Sequence, residues 1–446
     1  MTFNPFHAHS RIVFSPEGLG DGGAPLLTAG TEYTEAQPSG TANDTVSGIT
    51  VLSDGGHVLM WSDQDGSTWI NKWQRFDAAG NAVTPVNTID GASGSVSALA
   101  DGGFAITYGT WQNLQVQRFD AASAAVGDPI IVDPTPYNGF PTVTGLPDGG
   151  FLMTWTGFPV SGESEDGVLM RRYDADGIPT GAAQQVNTEA YGNQGALSVT
   201  VLADGGFVIA WRTQTQDANW SYGVAMRRFD AAGVPAGPEV AVSPTTAHEF
   251  DPDVTALADG GWVVTWASNK DDIQDIYGQI YNADGSARGG EIHVANPGGQ
   301  FGAEVAALAD GGFMVAWSSN DPNTYDGSIV GQRFDATGTA IGESFTLNQT
   351  QAGNQSAPLL AARPDGGFVI AWQTDGVSSY DPMSPWSGYQ TTGGTVSVRV
   401  YEPESAAQVQ ALVSAMASFA PASLGQADRT EVPPDQIQPV IAASLT

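Results

Sequence analysis

Short apolar runs alternate with turn residues along most of the chain, and one such unit recurs seven times. The unit is Asp-Gly-Gly followed by five residues that are mostly apolar, as in DGGFVIAW. Its copies begin at positions 54, 101, 148, 204, 259, 310 and 365, so successive copies lie 47 to 56 residues apart. Internal repetition with a period near 50 residues indicates one repeat architecture rather than several unrelated domains.

Each copy predicts four β-strands, as the fourth copy shows. Its strands are LSVTVLA (197–203), FVIAW (207–211), VAMRRFD (224–230) and EVAVS (239–243), and the Asp-Gly-Gly turn supplies the positive φ that a tight hairpin needs. The second strand is apolar on both sides and must therefore be covered on both sides. Small sheets packed face to face around an axis meet that need. The sequence predicts an all-β fold, a seven-bladed β-propeller of four-stranded antiparallel blades. A solenoid is the alternative.

The two ends of the repeat region predict how the ring closes. The last copy has a third strand near TVSVRVYEP (395–403) but no fourth strand, whereas 24–37 holds an orphan strand before the first copy. We therefore expect the propeller to span 24–403 and to close by pairing of 24–37 beside 395–403. An N-terminal extension, 1–23, precedes it and a tail, 404–446, follows.

Antiparallel order divides the loops between two faces. One face holds the turns between the first and second strands and those between the third and fourth strands. These turns are short and nearly identical, and we call this side the turn face. The opposite face carries loops that range from GTWQN (109–113) to the long segment 373–394, and we call it the variable face. Because binding residues tend to lie on variable loops of a rigid scaffold, we predict that function lies there.

The loops of the variable face combine aromatic rings with carboxylates. Rings beside hydrogen-bonding groups suit a sugar or an extended polymer, and the candidate ligand-binding residues are Trp69, Trp111, Trp220, Tyr222, Tyr277, Tyr325, Tyr380, Trp386 and Tyr389. Closely spaced carboxylates suit Ca²⁺, the one cofactor we consider. The candidate metal ligands are Asp63, Asp65, Asp271, Asp272, Asp275, Asp321 and Asp326. The alternative is that these are ordinary solvated loops that use Asp and Gly for turns.

One local cluster on the variable face has the residue types for acid/base chemistry, namely His248, Glu249 and Asp251. We treat it as the weak catalytic candidate, since the chain has no phosphate-binding loop, no Gly-x-Ser-x-Gly motif and no dinucleotide fingerprint.

Two repeated features predict structural roles. The Arg and Asp of the third-strand motif QRFD, such as Arg75 and Asp77, share one side of the strand, so we expect an ion pair between them. We also expect the aromatic residues that end the second strands to pack in the core. These are Trp61, Tyr108, Trp155, Trp211, Trp266, Trp317 and Trp372.

The charge balance narrows the choice of partners. The chain has 15 basic and 48 acidic residues, a formal net charge of −33, and no cysteine. Such a surface repels phosphate backbones and anionic lipids, which disfavours nucleic acid and membrane partners. Disulfides and thiolate sites are excluded. The N-terminus lacks the pattern of a signal peptide, and no apolar run approaches the roughly 18 residues of a membrane span.

The C-terminal tail changes composition. Residues 405–419 have apolar residues at helical spacing, which predicts a short helix followed by an irregular segment. LVSAMASFAP (412–421) and PVIAASLT (439–446) resemble the C-terminal segments of proteins exported by type I secretion in alphaproteobacteria. The ADGGFVIAW and QRFDAAG repeats are similar to propeller repeats of RTX-type and adhesin-like proteins of those bacteria. The resemblance implies an extracellular protein that engages the type I secretion machinery. The family's calcium-binding nonapeptides are missing here, so its calcium-driven folding is not implied.

Three functions are compatible with this sequence. The first hypothesis is a secreted, non-enzymatic binding or adhesion propeller, with a glycan, a surface polymer or a protein as its partner at the variable face. The second is an extracellular enzyme acting on polysaccharide, a lyase or a hydrolase, with its site at the channel mouth. The third is a structural component of a cell-surface or virion assembly.

Overall fold

The computed structural model describes most of the repeat region. Contacts divide the chain into two units, Met1–Pro403 and Glu404–Thr446. The predicted extension 1–23 and the predicted helix in the tail lie outside the described residues. Those residues are 27–30, 32–35, 44–65, 68–91, 94–110, 112–134, 138–158, 167–188, 192–214, 221–243, 247–270, 274–294, 299–320, 327–350, 353–375, 378–380, 389–391 and 395–403.

Seven antiparallel sheets form the blades of a propeller, which confirms the predicted fold. The described chain begins with β1 (Leu27–Ala29) and β2 (Tyr33–Glu35). Blades 1 to 3 are β3 (Thr45–Val51), β4 (His57–Asp65), β5 (Thr68–Phe76) and β6 (Asn87–Asp90); β7 (Val96–Ala98), β8 (Phe104–Gly109), β9 (Leu114–Phe119) and β10 (Ala125–Asp133); and β11 (Asn138–Gly145), β12 (Phe151–Gly157), β13 (Gly167–Tyr173) and β14 (Gln184–Gln185).

The remaining blades follow the same order. Blades 4 to 6 are β15 (Gln194–Val201), β16 (Phe207–Gln214), β17 (Tyr222–Phe229) and β18 (Val240–Ala241); β19 (Glu249–Ala256), β20 (Trp262–Ser268), β21 (Asp275–Tyr281) and β22 (Ala287–His293); and β23 (Gln300–Ala307), β24 (Phe313–Asn320), β25 (Gly327–Phe334) and β26 (Ala340–Thr346). Blade 7 has β27 (Asn354–Ala362), β28 (Phe368–Asp375) and, after the hairpin of β29 (Ser378–Tyr380) and β30 (Tyr389–Thr391), β31 (Thr395–Pro403).

The N-terminal segment closes the ring as predicted. Strand β31 pairs with β28 on one side and with both β1 and β2 on the other, with Leu27 opposite Pro403 and Tyr33 opposite Val398. The first strand of each blade contacts the first strand of the next, and the last contact joins β27 to β3. These first strands therefore line the axis, and we call them the inner strands. Within the described part of the chain, no helix has the length and apolarity needed to cross a membrane.

The core lies between neighbouring blades. The aromatic residues that end the second strands are 0 to 6% exposed, as predicted for core residues. Apolar side chains of adjacent blades meet in shared clusters, such as the one that joins Val208 of blade 4 to Val264 of blade 5. Burial of this apolar area is the main stabilising contribution in a fold whose blades are covered on both faces.

The turn-face motif is explained atom by atom in blade 1. Gly55 has a φ of 82°, which favours glycine. A Cβ on Gly56 would overlap the carbonyl oxygen of Phe76, so only glycine fits there as well. The Oδ1 atom of Asp54 accepts the Gly56 N–H at 2.9 Å, and its Oδ2 atom pairs with Nη2 of Arg75 at 2.5 Å. Each residue of the repeated motif thus has a structural role.

The predicted ion pair within the third-strand motif is wrong in its partner. Arg75 pairs across the blade with Asp54 and not with Asp77, whose Oδ1 accepts the backbone N–H groups of Ala79 and Asn81. The reason is that strand β5 ends at Phe76, so Asp77 already belongs to the turn and its carboxylate faces that turn's own backbone. The same pairing, between an arginine and the Asp of the Asp-Gly-Gly turn within one blade, recurs in Arg172–Asp148, Arg228–Asp204, Arg288–Asp259 and Arg333–Asp310.

Side chains of the inner strands link neighbouring blades by hydrogen bonds. The Ser97 hydroxyl accepts the Gly145 N–H at 3.1 Å, and the Thr200 hydroxyl accepts the Ala256 N–H at 2.9 Å. Each bond satisfies a backbone donor on the open edge of an inner strand, where sheet pairing cannot reach it. These bonds fix the position of each inner strand relative to the next and so shape the channel mouth.

Candidate functional site

The inner strands are distorted near the variable face. Several carry a β-bulge close to their first residues, with a residue at positive φ in the bulge. These residues are Phe140 (48°), Ala196 (45°), Asp251 (45°) and Ala357 (50°). A positive φ is uncommon for any residue but glycine, and for a bulky one such as Phe it is a true outlier. Because bulges re-aim side chains and strain concentrates at functional sites, this ring of distortions points to the channel mouth.

Side chains from blades 3, 4 and 5 meet beside these bulges. The Cζ atom of Arg212, on β16, lies 4.7 Å from the ring centroid of Tyr222 on β17. The Tyr222 ring centroid lies 6.0 Å from that of His248, which immediately precedes β19. We name the group of Phe140, Arg212, Tyr222, His248 and Asp251 the Arg212 site.

A glycine gives two of these side chains room. A Cβ on Gly195 would lie 3.3 Å from Nη2 of Arg212 and 3.3 Å from Cε2 of Phe140, so the guanidinium and the phenyl ring both lie against this glycine. The Phe140 side chain is 52% exposed. An exposed aromatic ring next to a guanidinium is an arrangement that binds ligands, because both groups lose solvent readily when a partner covers them.

Arg212 and Asp251 influence each other electrostatically. Burial raises the pKa of the Asp251 carboxyl above its ordinary value, and the nearby Arg212 cation opposes that rise. Protein atoms surround the Asp251 carboxyl group, whereas the residue as a whole is exposed to solvent. No direct ion pair joins the two among the described residues, and the Nε atom of Arg212 has no hydrogen-bond partner there. The cation is therefore held by its contact with the Tyr222 ring rather than by a direct ion pair.

The structure separates the three acid/base candidates. His248 lies in the Arg212 site, where its backbone N–H donates to Asn269 at 2.8 Å, and Asp251 lies there too. Glu249 is fully buried, and its Oε1 accepts the Ser243 hydroxyl at 2.9 Å. Its carboxylate is thus buried against the segment that follows β18 of blade 4, which leaves His248 and Asp251 as the accessible members.

The aromatic candidates have different surroundings. Tyr222 belongs to the Arg212 site. Tyr277 is only 3% exposed; it stacks on His293 at 4.9 Å, and the Lys270 Nζ lies 3.5 Å from its ring centroid, so little of the ring is left for a ligand. Tyr380 and Tyr389 pair opposite each other in the β29–β30 hairpin, with side chains outside the described set. The Trp69 side chain and the residues Trp111, Trp220, Tyr325 and Trp386 also lie outside it.

Two of the metal candidates are occupied by internal partners. Asp63 is 4% exposed and forms an ion pair with Lys72. Asp275 is 2% exposed, and its Oδ2 lies 3.1 Å from Nε2 of His293. In the described portion of the chain, no group of three or more His, Asp or Glu could hold a metal ion. The Asp65 side chain and Asp271, Asp272, Asp321 and Asp326 lie outside that portion, so calcium stays a prediction for them.

Sequence reasoning missed Phe140 and Arg212. The sequence does contain a signal for Arg212, a charged residue that directly follows the aromatic residue at the end of its second strand. The other six copies have an uncharged residue at that position: Ser62, Gly109, Thr156, Ala267, Ser318 and Gln373. Phe140 has no comparable signal, since its importance comes from a bulge and a backbone angle that the residue pattern does not reveal.

Fold and site together define a seven-bladed β-propeller with a cationic and aromatic site at the mouth of its channel. No family model and no curated protein matches the chain. Among solved structures, it is similar to a protein of unknown function from Dyadobacter fermentans, with a TM-score of 0.51 and 10% identity over 85% of this chain and 99% of the other. It is also similar to an ulvan lyase, a polysaccharide lyase bound to glucuronic acid and sulfated rhamnose, with a TM-score of 0.52 and 10% identity over 80% of this chain and 94% of the other. At such identities the likeness shows the fold.

Proposed function

We propose that this protein is a carbohydrate-binding propeller that holds a glycan or surface polymer at the Arg212 site. The observation that carries the proposal is the meeting of the exposed Phe140 ring, the Arg212 guanidinium and the Tyr222 ring at the channel mouth. Aromatic rings pack on the apolar faces of sugars, and a guanidinium offers several fixed donors to their oxygens. The polysaccharide ligand of the similarly folded ulvan lyase is compatible with this proposal.

Binding without hydrolysis fits the carboxylates of the site. Glycoside hydrolysis in most families needs two carboxyl groups that flank the scissile bond. Here Glu249 is buried and bonded to Ser243, so Asp251 is the accessible carboxylate of the original trio. Two further carboxyl groups lie on neighbouring inner strands: Asp253, which is bonded to Ser198 and Val305, and Glu304. Burial and the charges of Asp253 and Asp251 raise the pKa of Glu304 well above its ordinary value. A hydrolase would need Glu304 as its second carboxyl group.

Cleavage by β-elimination is the second candidate, and a specific observation favours it. This reaction needs a cation near a sugar carboxylate, a base for the proton alpha to that carboxylate, and an acid for the leaving oxygen. Arg212, Tyr222 and His248 are residue types that can fill these roles, and they lie side by side. The polysaccharide lyase among the similar structures makes this alternative worth testing directly.

A glycan array followed by titration calorimetry tests the binding proposal. We expect the Phe140→Ala variant to lose at least about tenfold in affinity, which corresponds to about 1.4 kcal/mol. Phe345→Ala is the matched control, since Phe345 is 38% exposed on the outer strand β26 of another blade. Equal affinity of the two variants would contradict the assignment of the site, and absence of binding to every glycan would contradict the proposed function.

The same samples decide between binding and cleavage. Turnover would appear as the ultraviolet absorbance of an unsaturated sugar product. If bound polysaccharides give no product over days, the binding module is supported. If product forms, and the Tyr222→Phe variant loses this activity but keeps its affinity, the protein is a lyase and not a binding module.

We also propose that the protein is extracellular and leaves the cell by type I secretion. The support is the resemblance of the tail, residues 405–446, to such export segments. Deletion of 405–446 should retain the folded propeller inside the cell, and fusion of the segment to a cytosolic reporter should export it. Appearance of the truncated protein in the medium would contradict the proposal.

Calcium binding is proposed on the sequence alone, for the acidic loops with Asp271, Asp272, Asp321 and Asp326. A chelator should lower the melting temperature, and added Ca²⁺ should restore it. An unchanged melting temperature would contradict calcium binding.

A further inference from the structure

We infer that the ligand of the Arg212 site is an acidic glycan and that Arg212 binds its carboxylate or sulfate group. This inference rests on the proposed function and adds the chemical class of the sugar. It starts from the state of the Arg212 cation, which differs from that of most arginines on the turn face.

Most of the turn-face arginines are neutralised by partners from their own blades. Six arginines form ion pairs with the Asp of the Asp-Gly-Gly motif in the same blade: Arg75, Arg172, Arg228, Arg288, Arg333 and Arg363. Other arginines donate to backbone carbonyls, as Arg227 does to Val186 at 2.8 Å. Among the described residues, Arg212 forms no ion pair and donates to no backbone carbonyl, a state that it shares with Arg118 of the turn face. This is notable in a chain with more than three times as many acidic as basic residues.

The way Arg212 is held leaves its donors available. The guanidinium is planar, and its N–H groups point outward in that plane. Its contact with Tyr222 is a cation–π contact, with 4.7 Å between the Cζ atom and the ring centroid, and such a contact occupies no hydrogen-bond acceptor. A carboxylate or sulfate ester accepts two parallel N–H bonds from a guanidinium. Tyr222 therefore restrains Arg212 and leaves its N–H donors to an anion.

The surroundings suit a sugar that carries the anion. The exposed Phe140 ring lies beside the guanidinium, with Gly195 making the space between them. A sugar whose anionic group lies on Arg212 can place a ring face on Phe140. Free inorganic anions would leave that ring uncovered.

The net charge of the protein excludes a nonspecific explanation for the binding of an acidic glycan. A chain with a formal charge of −33 repels polyanions at long range. Binding of an acidic glycan by this protein therefore cannot come from general electrostatic attraction. It would have to come from a local cationic site with a defined geometry.

The test compares paired probes by titration calorimetry. Polygalacturonate and alginate are each paired with their esterified forms, and dextran sulfate with dextran. We expect a free-acid or sulfated probe to bind at least about tenfold more tightly than its uncharged pair. Arg212→Gln should abolish that preference, and Arg212→Lys should restore part of it because lysine keeps the charge without the fork. Arg75→Gln on the turn face is the control and should leave the preference unchanged.

The outcomes separate the two claims. If charged and uncharged probes bind equally well and Arg212→Gln changes nothing, the inference is overturned while the proposed function stands. If no charged probe binds, the inference is overturned, and the glycan array decides on the proposed function. If only dextran sulfate shows the preference, the anion is a sulfate; if only the uronates do, it is a carboxylate. Should Arg212→Gln fail to fold, the paired probes on the unaltered protein decide.

Discussion

The two faces of the propeller are built from the same strands, yet they treat polar groups in opposite ways. On the turn face, Asp54 uses both carboxylate oxygens for internal partners, Gly56 and Arg75. On the variable face, Phe140 is exposed at a strained backbone position, and Arg212 contacts the Tyr222 ring without an ion pair among the described residues. Pairing of charged groups within the fold indicates a structural role, whereas an unpaired cation beside a strained, exposed ring indicates a ligand.

The largest effect is expected from a substitution on the turn face. In Gly206→Ala the new Cβ would lie 2.5 Å from the carbonyl oxygen of Phe229, a distance that forces the backbone to move. We expect a loss of about 3 kcal/mol in the free energy of unfolding, measured with urea. Gly290→Ala is the control, because nothing lies within 4 Å of its Cβ. A loss of less than about 1 kcal/mol in Gly206→Ala would show that the motif is not structurally required.

Replacement of a buried carboxyl group that directly precedes β3, near the variable face, is expected to raise stability rather than lower it. Asp44 is 1% exposed, and burial, together with the charge of Asp63, raises its pKa from 3.8 to about 6 against the opposing effect of Lys72. Because the folded state favours the protonated form, Asp44 lowers stability as the pH rises from about 4 through 6, and its penalty is complete above that range.

Asp44→Asn should therefore stabilise the protein at pH 8, by on the order of 2 kcal/mol, and have little effect at pH 4. Urea unfolding across this range measures it. Asp90→Asn, an exposed position in the same blade, is the control. A loss of stability at pH 8 would mean that the Asp44 charge is compensated after all.

The smallest effect concerns the ion pairs of the turn face. Asp54 has a side chain that is 53% exposed, so its pairing with Arg75 should contribute less than about 1 kcal/mol in a double-mutant cycle of Arg75→Gln and Asp54→Asn. The corresponding cycle of Arg75 with Asp77→Asn should show no coupling. Coupling to Asp77 instead of Asp54 would restore the pairing predicted within the motif.

The sequence predicted the scaffold more accurately than the site. The repeated Asp-Gly-Gly turns, the buried aromatic residues and the missing fourth strand of the last copy led to the blades and their closure. Of the site, Tyr222, His248 and Asp251 were among the candidates, and Arg212 and Phe140 were not. Tyr277 is a tyrosine on a third strand, as Tyr222 is, but packing against His293 buries it.

What the sequence by itself determined is what local pattern controls: the number of blades, the strand order within them and the pairing of the two chain ends. Strand alternation and tight turns depend on neighbours a few residues apart, so they can be read from the residues in order. The Arg212 site depends on three blades, with Phe140, Arg212 and Asp251 separated by tens of residues. Only the packing of one blade against the next decided which side chains meet at the channel mouth and which are buried, since that packing is a long-range property of the closed ring.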